Sequence, residues 1–443
     1  MKTILVVGAG RSSASLISYL LSQAEKFSWK IVVGDTSMEA ARQKVGSHPQ
    51  GKVILFDIAQ SDCLQEIEKA DLVISLLPPH LHPLVAVHCL KFNKHLLTAS
   101  YVADEMKALD AEARSKGLIF LNECGLDPGI DHMSALQVID KIRAQGGELK
   151  AFESFTGGLI APETDKDNPW RYKFTWNSKN VVMAGQATAK YLQNGSYKYI
   201  PYQQLFKRTT QVHVAGLGDY EGYVNRDSLK YIDTYGIGGI QTMIRGTLRN
   251  RGFCSAWNVL VQLGCCDDTY QMEKVDQMTH LDFISSFLDG NSPRHIKDKI
   301  SIQRSLDLQG HEVEYLEWVG LFSNEKVGLK KGTPAEILEH ILNKKWKLQP
   351  DDKDQIVMWH RFVYDDGGEE REIQASLVAT GSDSVFTAMA KTVGLPLGIA
   401  ARLILENRIQ SRGVVIPTSP EFYIPILEEL RAYDIALKEE QLR

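Results

Sequence analysis

The segment Thr3-Ile4-Leu5-Val6-Val7-Gly8-Ala9-Gly10-Arg11-Ser12-Ser13-Ala14 decides how the first part of the chain folds. Its apolar run is typical of a buried strand, and a G-x-G-x-x-S pattern follows directly, with Ser13 or Ala14 near the place of a third glycine. Glycines at these positions permit a tight turn and a close approach of a pyrophosphate to the amino end of a helix. The segment therefore predicts a strand, a phosphate-binding turn and a helix.

Strand-like and helix-like patterns alternate from this turn to about residue 121. Between the first two strands, the apolar residues of 16–21 repeat at helical spacing. Such an alternation predicts an α/β fold with a parallel, doubly wound Rossmann sheet. The predicted strands are Thr3–Val7, Lys30–Gly34, Val53–Phe56, Leu72–Leu77, His95–Thr98 and Leu118–Leu121.

Asp35 ends the second predicted strand, somewhat further from Gly8 than the usual ~20 residues. A carboxylate there accepts hydrogen bonds from the ribose hydroxyls and repels a 2′-phosphate, which favours NAD over NADP. The alternatives are that Asp35 serves only the turn, and that NADP is used. The residues expected to contact the cofactor are Gly8, Gly10, Arg11, Ser12, Ser13, Asp35, Thr36, Asp57, Ile58, Leu76, Leu77, Thr98, Leu126, Asp127, Pro128 and Thr175.

A second informative stretch runs from Asn122 to Met133, directly after the last predicted strand. Gly125, Pro128 and Gly129 within five residues indicate a tight, rigid turn. Open α/β sheets place ligand contacts at the carboxyl ends of their strands, so the carboxylate of Asp127 is a candidate for the site. For Asp131 the alternative is that it only caps the following helix.

From about Leu126 the pattern changes to longer strands with Gly-rich and aromatic turns. Arg226 lies between small polar residues, and Arg245 and Arg249 are four residues apart, with Gly246 exposing backbone between them. A guanidinium binds a carboxylate in bidentate fashion, so these arginines suit an anionic ligand. The alternative for each is a surface salt bridge.

Composition bounds the class of protein. At 443 residues the chain is long enough for two or three domains, and a net charge of -5 argues against nonspecific nucleic-acid binding. No apolar run approaches the ~18–20 residues that cross a bilayer, and the amino terminus does not read as a signal peptide. The six cysteines have no zinc spacing, so we expect free thiols, no metal and a cytoplasmic protein.

Together these residues resemble the L-glutamate-forming saccharopine dehydrogenases, also called saccharopine reductases. The resemblance spans essentially the whole chain, and the blocks Gly125–His132 and Gly157–Glu163 are specific to this family and close relatives. The other matching segments are Gly8–Ala14, Leu76–Pro78, Ser100-Tyr101, Tyr172–Trp176, Asn225–Ser228, Arg245–Leu248 and a tail from Thr392 to Pro417.

The family implies a dinucleotide domain that is rejoined by the carboxyl-terminal segment, a mixed α/β substrate domain and a small helical insertion. We expect the first at 1–124 and 386–443, the second at 125–264 and 347–385, and the insertion at 265–346. A homodimer is plausible for this architecture. Fungal relatives that use NADP tend to carry a basic residue near position 35, and the acid here puts NADP use in doubt.

The resemblance also implies the substrate and its contacts. The substrates would be saccharopine, glutamate and aminoadipate semialdehyde, with Asp127 and Tyr101 orienting the substrate and relaying protons. The implied substrate contacts are Ser100, Tyr101, Asp127, Arg226, Arg245, Gly246 and Thr247.

Three alternatives compete with this interpretation. A carboxynorspermidine or opine-type reductase also couples an aldehyde and an amine, but its substrate has fewer carboxylates and needs fewer arginines. A noncatalytic NAD-binding regulator could keep the same fold. The chain could also be one domain of a larger bifunctional lysine-degrading enzyme, although its end at Arg443 leads us to expect a standalone enzyme.

Overall fold

The computed structural model describes residues 1–60, 63–184, 186–290, 296, 298–300 and 310–442. The chain divides into two compact units by its internal contacts. The first comprises Met1–Glu148, Asp366–Glu369 and Leu377–Glu439, and the second comprises Leu149–Asp365, Glu370–Ser376 and Glu440–Arg443. The first segment of the first unit ends at Glu148, whereas the predicted dinucleotide domain ends at residue 124. The domain limits given from sequence stay a prediction.

A parallel sheet forms the centre of the first unit. Its seven described strands lie in the order β15-β6-β5-β4-β1-β2-β3. The order reverses beside β1, because β1 pairs with both β2 and β4, and ligands bind at such a switch point in doubly wound folds. The strands are β1 (Lys2–Val7), β2 (Trp29–Asp35), β3 (Gly51–Leu55), β4 (Leu72–Ser75), β5 (His95–Thr98), β6 (Ile119–Leu121) and β15 (Gly413–Val415).

Helices connect and flank these strands. They are α1 (Ala14–Ala24), α2 (Met38–Val45), α3 (Cys63–Lys69), α4 (His82–Phe92), α5 (Asp104–Lys107), α6 (Asp110–Ser115), α7 (Ile130–Ala144), α15 (Ala388–Leu405) and α16 (Pro420–Leu430). The predicted Rossmann alternation is confirmed, with strand ends shifted by at most a few residues.

Helix α15 packs closely on α1. A methyl group on Gly394 would lie 2.7 Å from the backbone nitrogen of Leu16, and one on Gly398 would lie 2.5 Å from the Tyr19 ring. The helix is long and apolar enough to cross a membrane, contrary to the expectation from sequence, but 83% of it is buried inside the protein. Its apolar surface therefore belongs to the core of the first unit.

A nine-stranded sheet organises the second unit, with the main order β10-β11-β12-β7-β13-β14-β16, and β8 pairs with β12 and β9. The pairing of β12 with β7 is parallel and that with β11 is antiparallel, so the sheet of this mixed α/β unit has mixed strand directions. The strands are β7 (Glu148–Ile160), β8 (Ala189–Gln193), β9 (Ser196–Ile200), β10 (Thr210–Val214), β11 (Gly218–Val224), β12 (Thr242–Asn250), β13 (Asp354–Asp366), β14 (Glu369–Thr380) and β16 (Leu437–Gln441).

Aromatic residues dominate the core of this unit, where Trp170, Tyr172, Phe253 and Trp346 are buried against one another. The helical insertion predicted at 265–346 contains α12, α13 and α14 in its described part, and its residues 291–295, 297 and 301–309 lie outside the described residues. The helices of the unit are α8 (Ser178–Val182), α9 (Tyr202–Leu205), α10 (Lys230–Thr234), α11 (Phe253–Leu263), α12 (His280–Ser285), α13 (His311–Trp318) and α14 (Pro334–Trp346).

Candidate active site

The turn after β1 has the geometry that a dinucleotide requires. Gly8 has φ +100, and a methyl group there would lie 2.9 Å from the Leu76 backbone, so only glycine fits. Gly10, in contrast, has open space, with nothing within 4 Å of where a Cβ would stand. It begins the short helical turn Arg11–Ser13 that leads into α1, and no side chain caps that end. The exposed amides and the open space fit a pyrophosphate.

Asp35 stands at the end of β2 beside this turn. Its carboxylate accepts the Ala9 N–H at 2.5 Å and the Ser37 N–H at 2.7 Å, so the strand end and the glycine turn are held together. Lys44 of α2 reaches back to the same turn and donates to the carbonyl oxygens of Ala9 and Gly10. Burial lowers the pKa of Lys44, and the charge of Asp35 partly offsets that effect. Asp35 was predicted from sequence, whereas Lys44 was not.

The other predicted cofactor residues of the first unit lie mainly at the carboxyl edge of its sheet. Asp57 and Ile58 follow β3, Leu76 and Leu77 follow β4, and Thr98 ends β5. Leu126, Asp127 and Pro128 belong to the loop between β6 and α7. Thr175 belongs to the second unit, where its buried hydroxyl has no hydrogen-bond partner among the residues that the structure describes. The contacts of these residues with a cofactor stay a prediction.

A buried histidine joins the ends of two neighbouring strands, β4 and β5, at the same edge. His82, at the start of α4, places Nδ1 at 2.8 Å from Ser75 Oγ and Nε2 at 2.8 Å from Ser100 Oγ and 3.2 Å from Thr98 Oγ1. Burial lowers the pKa of His82 to about 4, with a smaller contribution from His80, so the ring is neutral at pH 7. The ring therefore fixes the hydroxyl of Ser100, a predicted substrate contact.

The predicted turn around Asp127 is also formed. The Asp127–Pro128 peptide bond is cis, and the Tyr101 hydroxyl donates to Asp127 Oδ1 at 3.3 Å. Tyr101 is 46% exposed, whereas Ser100 and Asp127 are partly buried. The structure thus brings Ser100, Tyr101 and Asp127 to one edge of the first unit.

Buried ionisable groups hold the backbone around the Asp127 turn through hydrogen bonds. Glu123 accepts the Val102 N–H at 3.1 Å, and its other carboxylate oxygen lies 2.9 Å from His132 Nε2. Asp131 does not occupy the capping position, because Gly129 is the N-cap of α7. Instead, Asp131 accepts the Gly129 N–H at 2.6 Å from within the first helical turn. The alternative that Asp131 caps α7 is therefore correct only in part: Asp131 accepts an amide at the start of the helix, but it is not the N-cap residue.

The predicted substrate residues of the second unit converge at the junction of β11 and β12. The Asn225 N–H donates to the Arg245 carbonyl at 2.7 Å, and Thr247 Oγ1 donates to Asn225 Oδ1 at 2.8 Å. Gly246 leaves no room for a side chain, because a methyl group would lie 2.3 Å from the Phe155 ring. Arg226 extends from the same loop and is exposed. Among the described residues, no carboxylate forms an ion pair with Arg226 or Arg249, so the alternative of a surface salt bridge is not supported for these two arginines.

The two arginines of β12 differ in their surroundings. The Arg245 guanidinium is 3% exposed and lies 4.1 Å from the centre of the Tyr231 ring. Arg249 is buried among the rings of Tyr172, Tyr223 and Phe253. It donates to the Leu248 carbonyl and the Tyr223 hydroxyl, and in the described part of the chain its Nε has no hydrogen-bond partner.

Sequence reasoning missed several polar residues that shape the site. These are Lys44, His82, Glu123 and His132 in the first unit. Lys44 reaches its partners from 34 and 35 residues away, whereas Glu123 and His132 are only nine residues apart, and no spacing rule marks either contact. In the described residues, no group of three or more His, Cys, Asp or Glu side chains could hold a metal ion.

The parallel sheet, the glycine turn and the carboxylate at the end of β2 define a dinucleotide-binding protein. The match to family models narrows this class. Residues 4–121 match the saccharopine dehydrogenase NADP binding domain, and residues 125–435 match the saccharopine dehydrogenase C-terminal domain. The chain belongs to the saccharopine dehydrogenase family, and its first unit carries the nicotinamide-dinucleotide-binding domain.

Similar proteins agree with this membership. Saccharopine dehydrogenase [NADP(+), L-glutamate-forming] of Schizosaccharomyces pombe is 31% identical over 99% of this chain and 99% of its own length. The apo saccharopine dehydrogenase (L-Glu forming) of Saccharomyces cerevisiae has a TM-score of 0.89 and 30% identity, covering 100% of both chains. The name of the Schizosaccharomyces pombe enzyme carries NADP, so it does not support the NAD preference predicted from Asp35.

A longer relative is similar over only part of its length. The mitochondrial alpha-aminoadipic semialdehyde synthase of Rattus norvegicus is 35% identical over 98% of this chain and 47% of its own length. The chain therefore spans about half the length of that relative.

Proposed function

We propose that the chain is an L-glutamate-forming saccharopine dehydrogenase, which interconverts saccharopine with L-glutamate and 2-aminoadipate 6-semialdehyde in lysine metabolism. The observation that carries the proposal is the likeness to the fungal enzymes of this name, which covers at least 98% of both chains in each pair. The site residues Ser100, Tyr101 and Asp127 support it, because they share the sheet edge at which doubly wound folds bind ligands.

The charge of the substrate fits the arginines of the second unit. Saccharopine carries three carboxylates, and a guanidinium binds a carboxylate through two parallel hydrogen bonds. Arg226 is exposed, and Arg245 lies in the neighbouring strand with Gly246 and Thr247 beside it. We assign these residues to substrate carboxylates.

The reaction needs a neutral amine, a held substrate and a water molecule. In the oxidative direction, the lysine-side carbon next to the secondary amine loses a hydride, and the resulting imine takes up water and splits into the two products. The bound nicotinamide supplies the hydride acceptor. Asp127 and Tyr101 orient the amine and relay protons, whereas Ser100 is held by the neutral ring of His82.

We propose NAD as the preferred cofactor, held by the first unit. The carboxylate of Asp35 is fixed by two backbone amides at the end of β2, where it accepts from ribose hydroxyls and repels a 2′-phosphate. Gly8 and Gly10 give the pyrophosphate its close approach. A spectrophotometric assay at about 340 nm with saccharopine should show faster turnover with NAD than with NADP.

Asp127 offers the sharpest test of the site. Asp127→Asn keeps the shape and removes the charge, so kcat/KM for saccharopine should fall by about a hundredfold, within the range of a lost acid–base group. The control is Asp104→Asn, because the Asp104 side chain is 96% exposed and belongs to helix α5, whereas Asp127 lies in the loop before α7. If Asp127→Asn keeps both kcat and KM of the wild type, Asp127 does not belong to the site.

The six cysteines are consistent with a cytoplasmic protein, which we also propose. All six are buried thiols, and none of them forms a disulfide in the described part of the chain, as a reducing compartment would leave them. A homodimer is a further part of the proposal, and light scattering of the purified chain would test it.

A further inference from the structure

Lys44 has no role in the proposed reaction, yet it lies at the cofactor turn. Its ammonium donates to the carbonyl oxygens of Ala9 and Gly10, and the N–H of the same Ala9 donates to Asp35. The backbone of Ala9 is thus held by the carboxylate of Asp35 at its N–H and by the ammonium of Lys44 at its carbonyl oxygen. The two charges therefore flank the end of β2, where the adenosine ribose of a dinucleotide lies in this fold.

The opposite charges offset each other at this place. Lys44 belongs to the helix α2 that follows β2, and its positive charge and the negative charge of Asp35 nearly cancel. Asp35 lies at the strand end itself, so its carboxylate still repels an anion there. An ammonium carries three donors, and the described contacts of Lys44 use two of them. If the negative charge of Asp35 were removed, an uncompensated cation with a donor to spare would remain beside the ribose.

We infer that Lys44 is a latent 2′-phosphate ligand, whose use the carboxylate of Asp35 prevents. This inference rests on the proposed cofactor site and deepens it, because it divides cofactor selection between two residues. Asp35 excludes the phosphomonoester by repulsion, and Lys44 supplies attraction once that repulsion is removed. The sequence alone does not indicate that Lys44 and Asp35 act together, because most of the residues between them belong to α2.

Binding of two nucleotides that differ only in the 2′-phosphate tests the inference without turnover. Calorimetry of the full chain with 2′,5′-ADP and with 5′-AMP gives a ratio of association constants for each variant. In Asp35→Asn the ratio should rise about tenfold above that of the wild type, as one new charge-assisted contact allows. In Asp35→Asn/Lys44→Gln the rise should disappear.

A matched variant separates Lys44 from the general charge of α2. Arg42 is an exposed cation on the same helix, so Asp35→Asn/Arg42→Gln should keep the tenfold rise. A rise that survives the loss of Lys44, or no rise in Asp35→Asn, would overturn the inference. If Asp35→Asn loses 5′-AMP as well, Asp35→Ser, which removes the same charge, takes its place: the ratio should rise in Asp35→Ser and not in Asp35→Ser/Lys44→Gln.

Failure of the proposed function gives a different result. If the wild type binds neither 5′-AMP nor NADH, the cofactor site itself is absent, and both proposals fall. If the wild type binds NADH and turns over saccharopine, but the ratio in Asp35→Asn does not depend on Lys44, only the present inference is wrong.

Discussion

The Asp127 turn of the first unit and strand β12 of the second unit hold buried polar groups by different means. Beneath the turn, Glu123 and Asp131 accept backbone amides, and Glu123 also contacts His132. On β12 the guanidinium of Arg249 lies on aromatic faces, and the described part of the chain places no carboxylate within salt-bridge distance of it. Hydrogen-bonded groups depend on each partner, whereas a cation on rings depends on packing.

The largest expected effect comes from removing the acceptor beneath the turn. Glu123→Ala removes, in a buried setting, the carboxylate that accepts the Val102 N–H and contacts His132 Nε2, although Asp131 still lies 3.7 Å from His132 Nδ1. We expect the free energy of unfolding to fall by about 4 kcal/mol, as for one broken member of a buried pair. Denaturant unfolding followed by circular dichroism measures it, and Glu123→Gln, which keeps one oxygen acceptor, should lose clearly less.

Denaturant unfolding of a β12 variant tests the comparison between the Asp127 turn and β12. Arg249→Met replaces a buried cation by an apolar side chain of similar length that can still pack on Tyr172 and Phe253. Because no carboxylate loses its partner, the cost should stay below about 2 kcal/mol. A loss equal to that of Glu123→Ala would mean that both regions depend on paired polar contacts.

Acid should act on the first unit through His82. Its pKa in the folded protein is about 4, below the ordinary value of 6.5, so the unfolded chain gains a proton that the folded protein does not. Stability from this residue is complete above pH 6.5 and is lost as the pH falls toward 4, by about 3 kcal/mol at pH 4. His82→Gln should remove this part of the acid sensitivity. If the wild type and the variant lose equal stability between pH 7 and pH 4, the ring is not held neutral.

Local patterns predicted one part of the molecule well. The alternation from β1 to β6 follows from apolar runs and helical spacing, and the turns at Gly8 and Gly125 follow from glycine and proline, whose backbone demands are local. Asp127 and Tyr101 were therefore placed correctly at one sheet edge. Their catalytic roles stay a prediction.

Other features depend on which segments meet in space. The contacts of His82 come from the ends of β4 and β5, and Lys44 reaches a turn more than 30 residues earlier in the chain. Arg245 and Arg249 carry the same charge on one strand, but only the packed rings around each distinguish them. No spacing rule in a single sequence contains that information.

The smallest expected effect compares a glycine from each region. A methyl group on Gly246 of β12 would lie 2.3 Å from the Phe155 ring and 2.6 Å from the Tyr223 carbonyl oxygen, which belongs to the backbone and cannot rotate away. One on Gly125 of the turn would meet only the Ala99 methyl below 3.0 Å, at 2.9 Å. We expect Gly246→Ala to lower the free energy of unfolding by about 2 kcal/mol and Gly125→Ala by about 1 kcal/mol, because the ring and the carbonyl must both shift. Thermal and denaturant unfolding of the two variants would measure this difference. A larger loss for Gly125→Ala would show that the hydrogen-bonded turn, and not the aromatic strand, is the less adaptable of the two regions.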